Sequence, residues 1–168
     1  MGNTHPANSR PPSNPPMRIG LISDTHGLMR PEALDALRGS SHILPAGDIG
    51  APAILEALRA IAPLTVVRGN NDGGVWARAI RDTETVELGG VAVHVIHEIA
   101  LLAGEPIACG FGVVVSGHSH RPMIEARDGV LYVNPGSAGP RRFMLPVSVG
   151  FLEIDGGKAS ARIELLPI

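Results

Sequence analysis

The chain has 168 residues, of which 44% are hydrophobic and 18% charged, and its formal net charge is −2. This profile is typical of a single globular domain, and it excludes a protein that binds long nucleic acids through a basic surface. Cys109 is the only cysteine, which excludes an internal disulfide and a zinc site built from several thiolates.

The first segment, residues 1–16, is polar and rich in proline, without the apolar stretch of a secretory signal. It buries too little apolar surface to order itself, so the sequence predicts a flexible tail in which His5 has no role. Residues 17–168 form the predicted domain. Since no segment approaches the roughly 18 apolar residues of a membrane span, we expect a cytoplasmic protein with no membrane partner.

The first half of the domain alternates short apolar runs with amphipathic segments. The apolar runs predict strands at 17–23, 42–46 and 63–67, and the amphipathic segments predict helices at 31–38 and 51–60. Strands that alternate with helices in this way form a parallel sheet with crossover helices. The sequence therefore predicts an α/β arrangement for this half.

The second half consists mostly of strands joined by tight turns. Gly89-Gly90 is a hairpin signal between strands at 83–88 and 91–97. A short helix is expected at 98–109, and an apolar strand at 112–116. Further strands are predicted at 122–127, 130–134, 147–154 and 158–166. Together the two halves predict a fold of the α/β (α+β) class, with two packed sheets flanked by helices.

Polar side chains follow the predicted strands of the first half at the point where each strand ends. Asp24 and His26 come after the first strand, Asp48 after the second, and Asn70 after the third. In open α/β sheets, ligands bind at the carboxyl ends of the strands. We therefore expect these four side chains to lie along one edge of the sheet.

The second half adds histidines in equivalent places. His97 ends the strand at 91–97, and His118 and His120 follow the strand at 112–116. Residues two apart in extended backbone point the same way, so each such pair can aim two ligands into one cavity. The whole set is too large for one ion and contains no sulfur. It predicts two divalent transition metals, drawn from Mn, Fe, Co, Ni and Zn, which can clamp a phosphoryl group.

The order of these motifs carries a resemblance to a known family. The motifs are Asp24-Thr25-His26, Gly47-Asp48, Gly69-Asn70-Asn71-Asp72, His97 and Gly117-His118-Ser119-His120. This series resembles the calcineurin-like metallophosphoesterase superfamily, and more narrowly its small single-domain phosphodiesterases of bacteria and archaea. The resemblance runs from about Met17 to the C-terminus and includes Asn134-Pro135-Gly136-Ser137 and Pro140-Arg141. It implies a four-layer α/β/β/α sandwich of two mixed β-sheets flanked by helices.

The resemblance also implies a role for each ligand. The first metal would be bound by Asp24, His26 and His120, the second by Asn70, His97 and His118, and both by Asp48. It implies a metal-dependent phosphodiesterase in which a hydroxide that bridges the two ions attacks a small phosphodiester. Manganese is the favoured metal, and a homo-oligomer is compatible with the sequence.

Two positions depart from the family pattern. Many larger relatives have a histidine where this chain has Asn71, and that histidine is thought to protonate the leaving group. Asn71 cannot act as an acid, so we expect a preference for good leaving groups. Many relatives also read His-Gly-His where this chain has His97-Glu98-Ile99. Glu98 either lines the site or faces solvent.

Alternatives remain open for other polar residues and for the function. Arg141 and Arg142 either hold a substrate phosphate or form a solvated surface pair, and Asn134 and Ser137 either form a turn or support the ligands. A eukaryotic retromer subunit shares the fold and acts as a non-catalytic interaction scaffold, but none of the predicted ligands is missing here. A nucleotide or dinucleotide polyphosphate hydrolase is a further alternative, in which Trp76 would stack on the base.

Overall fold

The structure is a computed structural model that describes residues 15–168. Residues 1–14 of the predicted tail, including His5, lie outside the described residues, so the prediction of a flexible tail stays a prediction. Within the described part of the chain, no helix combines the length and the hydropathy needed to cross a membrane.

The described residues form nine strands, three α-helices and one 3-10 helix. The strands are β1 (Met17–Ile22), β2 (His42–Pro45), β3 (Thr83–Leu88), β4 (Val91–Ile96), β5 (Val113–Val115), β6 (Met123–Arg127), β7 (Val130–Asn134), β8 (Ser148–Asp155) and β9 (Lys158–Leu165). The helices are α1 (Pro31–Leu37), α2 (Pro52–Arg59), α3 (Val75–Arg78) and the 3-10 helix Ile99–Leu101.

The strands form two mixed sheets that pack face to face. The first sheet has the order β2-β1-β8-β9 and the second the order β3-β4-β5-β7-β6. Leu21 and Leu44 of the first sheet meet Val93 and Val115 of the second in one buried cluster between the layers. This arrangement confirms the predicted sandwich of two mixed sheets.

The outer layers of the sandwich differ in thickness. Helices α1 and α2 cover the first sheet, where Leu37 and Leu58 are fully buried together with Phe151 of β8. The second sheet is covered thinly, because the helix predicted at 98–109 is reduced to the 3-10 helix. Gly104 favours a turn, and Pro106 lacks the N–H that a continuing helix needs.

The segment 63–67, predicted to be a strand, lies beside β2 but does not form a continuous ladder. It makes isolated parallel bridges, Ile43 with Leu64 and Ala46 with Val67. Ile43 N donates to Pro63 O at 2.9 Å and Val67 N donates to Pro45 O at 3.2 Å. Thr65 N also donates to Ile43 O at 3.1 Å, but the next bond of the ladder is missing because Pro45 has no N–H to donate. The segment therefore has the predicted position without full strand geometry.

Candidate metal centre

The sandwich brings all the predicted ligands to one end of the two sheets. Asp24 and His26 follow β1, and Asp48 follows β2. Backbone hydrogen bonds join these loops, from Asp24 N to Gly47 O at 3.1 Å and from His26 N to Asp48 O at 2.9 Å. The remaining ligands follow the segment 63–67, β4 and β5, and they are Asn70, His97, His118 and His120.

One group of potential ligands contains Asp24, His26 and His120. Asp24 Oδ1 lies 3.4 Å from His120 Nε2 and 3.8 Å from His26 Nε2. The two imidazole Nε2 atoms are 3.3 Å apart. Three potential donor atoms therefore converge on one point beside β1.

A second group contains Asp24, Asp48 and His97, so Asp24 belongs to both. His97 Nε2 lies 3.3 Å from Asp48 Oδ2 and 3.9 Å from Asp24 Oδ1. Asp48 Oδ2 also lies 3.8 Å from His26 Nε2. Both carboxylates thus lie close to histidines of both groups, whereas the family resemblance implies a shared role for Asp48 alone.

Asn70 and His118 lie at the exposed rim of the second group. Asn70 Oδ1 is 3.1 Å from His97 Nε2 and 3.2 Å from His118 Nδ1. The amide oxygen therefore stands between the two imidazoles and extends the cluster of donor atoms towards solvent.

The carboxylate of Asp24 provides a test of whether these residues fit a metal. Its Oδ2 accepts hydrogen bonds from Ser23 Oγ at 2.8 Å and from His118 N at 3.0 Å. Its Oδ1 is buried and has no hydrogen-bond partner among the described residues. A buried carboxylate oxygen without a donor is costly, and a cation would satisfy it. Because imidazole nitrogen and carboxylate oxygen suit divalent transition metals, the residues fit such ions.

Neighbouring groups orient the ligands. His97 Nδ1 donates to Ala46 O at 2.7 Å, which directs Nε2 towards the carboxylates. Asn71 donates twice to Asp48, from its backbone N to Oδ1 at 2.9 Å and from Nδ2 to Oδ2 at 3.0 Å. From the sequence, Asn71 was interpreted only as the residue that replaces a histidine acid, and its hydrogen bonds to Asp48 were not predicted. Its position next to Asn70 was the one available signal.

The charges of Asp48 and His97 are coupled. Burial alone would raise the pKa of Asp48, but hydrogen bonds with His97 and Asn71 hold that pKa well below its usual range. Burial likewise lowers the pKa of His97, but the hydrogen bonds with Asp48 and Ala46 and the charge of Asp24 outweigh burial and raise it. Without a metal, each of the two residues therefore favours the charged form of the other.

His120 behaves in the opposite way. Burial lowers its pKa, and the nearby positive charge of Arg142 lowers it further, although the charge of Asp24 acts against both. A neutral imidazole is the form that binds metals, so His120 is prepared for that role at neutral pH.

Most of the proposed ligands adopt left-handed backbone conformations. The φ angles are positive at Asp24 (56°), His26 (46°), Asp48 (49°), His118 (71°) and His120 (61°). From the sequence, extended backbone was expected to aim Asp24 with His26, and His118 with His120, into one cavity. The pairs do converge, but through left-handed bends, because the chain turns sharply at the ends of β1, β2 and β5.

Two glycines leave room for the ligands. A Cβ atom at Gly47 would lie 2.5 Å from His97 Nδ1. A Cβ atom at Gly117 would lie 2.8 Å from Asp24 Oδ2 and would also collide with Ser23 Oγ. Only glycine allows this close approach of backbone to the ligands.

Asn134 and Ser137 serve both of the roles left open by the sequence. Asn134 Oδ1 accepts from Gly136 N at 2.9 Å, which fixes the turn, while Nδ2 donates to Gly117 O at 2.9 Å. Ser137 Oγ donates to Asp24 O at 2.9 Å. The turn after β7 therefore supports the loops that carry Asp24 and His118.

A groove of about 520 Å³ opens beside the second group of ligands. Asn70, His97 and Glu98 form the wall next to the metal centre, and Arg68 and Asp82 lie among the other lining residues. Glu98 Oε1 is 3.7 Å from His118 Nε2. Of the two alternatives for Glu98, the structure therefore places the side chain at the site.

Other polar and aromatic side chains have structural partners. His42 Nε2 lies 2.8 Å from Thr65 Oγ1, and His94 Nδ1 lies 2.9 Å from Thr85 Oγ1. Trp76 packs against the cluster beneath α2.

Comparison with known proteins gives concordant results. A sequence model of the calcineurin-like phosphoesterase superfamily domain matches residues 17–157. The chain is 37% identical, over 159 residues, to a probable metallophosphoesterase of Methanothermobacter thermautotrophicus, which covers 88% of this chain and 91% of that protein. Among solved structures, an archaeal phosphodiesterase aligns with a TM-score of 0.75 and 25% identity, covering 89% of this chain and 100% of that one. Vacuolar protein sorting 29 of Cryptosporidium parvum shares the fold, with a TM-score of 0.73, 16% identity and coverage of 89% and 97%.

Proposed function

Because this chain belongs to the calcineurin-like phosphoesterase superfamily and is thus a phosphoric ester hydrolase, we propose that it hydrolyses a small phosphodiester at a centre of two divalent metal ions. The observation that carries the proposal is the buried Asp24 Oδ1, which has no hydrogen-bond partner among the described residues. Three imidazole Nε2 atoms, those of His26, His97 and His120, lie between 3.4 and 3.9 Å from it.

The seven side chains would divide between the two ions. The two overlapping groups of donor atoms support one ion at Asp24, His26 and His120 and another at the end of the site that includes His97. Asn70 and His118 would complete the second set, and Asp48 would be shared. Manganese is our preferred choice, and iron, cobalt, nickel and zinc suit the same donors.

When bound, the ions would supply Lewis-acid charge to the phosphoryl oxygens and activate the attacking water. The chain itself holds the ligands in place. Asn71 anchors Asp48 through two hydrogen bonds, and Ala46 O fixes the ring of His97. Because the amide of Asn71 does not ionise, that side chain offers no proton to a leaving group. We therefore propose a preference for ester groups that leave readily as anions.

The shared fold of vacuolar protein sorting 29 supports a second candidate, a protein-interaction scaffold. The presence of all seven ligand side chains favours the enzyme. A base-stacking role for Trp76 forms no part of the proposal, because Trp76 packs against the core beneath α2.

The test is release of p-nitrophenol from bis(p-nitrophenyl) phosphate by protein stripped with a chelator and then supplied with Mn²⁺. We expect turnover that depends on the metal and two bound ions per chain. Asp24→Asn should lose both ions and nearly all turnover, because Asp24 belongs to both groups. Asp155→Asn, at the exposed last residue of β8, is the matched control and should behave as the wild type.

Two results would count against the proposal. Turnover that persists with the chelator present, or in Asp24→Asn, would exclude a reaction that depends on these ligands. Turnover with a single ion per chain would leave the hydrolase intact and overturn the two-metal centre. His97→Ala should retain one ion, which distinguishes the two sets of ligands.

A further inference from the structure

The loop that follows the turn at Asn134–Ser137 begins against the metal centre. Ala138 N donates to Ser23 O at 3.0 Å, and Arg30 Nε donates to Gly139 O at 3.2 Å. A Cβ atom at Gly139 would collide with the carbonyl oxygens of Asp24 and Thr25. The loop 140–146 is therefore anchored at its start on the backbone that carries the first metal ligands.

The tip of this loop displays two large apolar side chains. Leu145 N donates to Arg142 O at 3.1 Å, which closes a turn with Phe143 and Met144 at its corners. Phe143 is 90% exposed and Met144 is 96% exposed. Phe143 also has a φ of 53°, a conformation that is rare for a bulky residue and that is concentrated at functional sites.

Phe143 differs from the other aromatic residues of the chain. The remaining four are packed against protein, and they are Trp76, Phe111, Tyr132 and Phe151. The strained backbone at Phe143 thus holds an aromatic ring in solvent, where the ring adds nothing to the packing of the fold.

The position of the tip relates it to the substrate phosphate. Gly139 contacts the carbonyl oxygens of Asp24 and Thr25, and Phe143 is four residues beyond it, so the backbone of Phe143 lies at most roughly 14 Å from Gly139. An ester group on a phosphate at the centre is therefore within reach of this loop.

We infer that Phe143 is a substrate-binding residue that packs on a planar aromatic ester group, so that the favoured substrates are phosphodiesters with at least one aryl or nucleobase-bearing ester. The inference rests on the proposed function, because it requires the phosphate to bind at the metal centre. Aromatic pairs prefer stacked or edge-to-face contacts, and an exposed ring on a short turn is free to make either.

The test compares the binding of three phosphate monoesters, which have a single ester group and are therefore not phosphodiester substrates. Methyl phosphate, phenyl phosphate and uridine 5′-monophosphate are titrated by calorimetry into the full-length protein loaded with Mn²⁺. We expect at least one aromatic ester to bind about 3- to 10-fold more tightly than methyl phosphate, as an aromatic contact allows. Preference for the phenyl or the uridine ester then identifies the kind of aromatic group.

Variants at the turn separate binding from folding. Phe143→Ala should lose the preference for the aromatic ester and bind methyl phosphate as the wild type does, while Phe143→Trp should keep the preference. Phe143→Gly should also lose it, with an unchanged or higher melting temperature, because glycine accepts a positive φ. Leu165→Ala removes another exposed apolar side chain and is the control.

The outcomes distinguish this inference from the proposed function. Wild-type protein that binds all three esters equally, or Phe143→Ala that keeps the aromatic preference, would overturn the role of Phe143 and leave the metal centre untouched. Failure of wild-type protein to bind any of the three would instead contradict a phosphate site at the metals, and the inference would fall with it.

Discussion

At the scale of single residues, the proposed ligands combine polar burial with backbone strain. Asp24 and Asp48 are buried carboxylates, and both have positive φ angles. Conformations of this kind cost about 1–3 kcal/mol each, and they persist where surrounding contacts fix them. The hydrogen bonds that Asn71, His118 N and Ser137 make with these two residues are contacts of that kind.

The effect of a neighbouring carboxylate on one proposed ligand, His118, can be tested at Glu98. Its carboxylate lies 3.7 Å from His118 Nε2, while His118 Nδ1 faces Asn70 at the metal centre. A carboxylate behind an imidazole raises its basicity as a ligand, so Glu98→Gln should weaken Mn²⁺ binding by about 10-fold. Titration of the stripped protein with Mn²⁺ measures this. Glu105→Gln, in the next loop, is the control, and equal affinities in both variants would show that Glu98 does not assist His118.

The side chains that converge at the candidate site were predictable from the sequence, whereas the hydrogen bonds that support them were not. Strand ends followed by Asp, His or Asn mark Asp24, Asp48 and His97 because the chemistry depends on residue type. The hydrogen bonds of Asn71 and Asn134 depend on which loops meet in space, and local sequence does not determine that. The left-handed conformations were hidden for the same reason.

At the scale of elements, the helix α2 should contribute stability without touching the chemistry. Leu58 is fully buried on its inner face, and Leu58→Ala should cost about 2–5 kcal/mol in the free energy of unfolding. Urea denaturation measures the loss, and Arg59→Ala on the exposed face should change little. Because the metal ligands lie on loops of other elements, Mn²⁺ affinity should be unchanged. A matching loss of affinity would mean that α2 positions the ligands.

The sequence predicted the number and order of most strands, because apolar runs and turn residues mark them directly. The segment 63–67 was less predictable, because its geometry depends on a proline in its neighbour. Pro45 removes the hydrogen bond that would have completed the ladder. Only the 3-10 helix forms where a helix was predicted at 98–109, because Gly104 and Pro106 interrupt the segment.

At the scale of the whole molecule, one buried and one half-buried histidine make stability depend on pH. Burial lowers the pKa of His42 and of His94. The unfolded chain therefore binds protons at these two sites before the folded protein does, once the pH falls below about 6.5. The stability that they contribute is complete above that pH and declines as the pH drops towards their folded pKa values.

The measurement is urea unfolding of the metal-free protein at several pH values between about 7.5 and 5.5. The double variant His42→Gln with His94→Gln should lose less stability on acidification than the wild type does. Gln retains a polar partner for Thr65 and Thr85 but does not titrate. Parallel curves for the two proteins would show that neither histidine is the source of the acid sensitivity. The use of metal-free protein excludes release of the ions as the cause.

The left-handed conformations at the ligands have a consequence for the history of such a protein. The strained positions are proposed ligands, whereas the hydrophobic clusters that hold the two sheets together contain none of the seven. Replacement of a strained ligand by glycine or asparagine would therefore abolish chemistry and at the same time relax the backbone. Substitutions that remove catalysis in this way would raise the free energy of unfolding. A lineage that no longer needs the reaction can keep this sandwich intact and give its surface to another purpose.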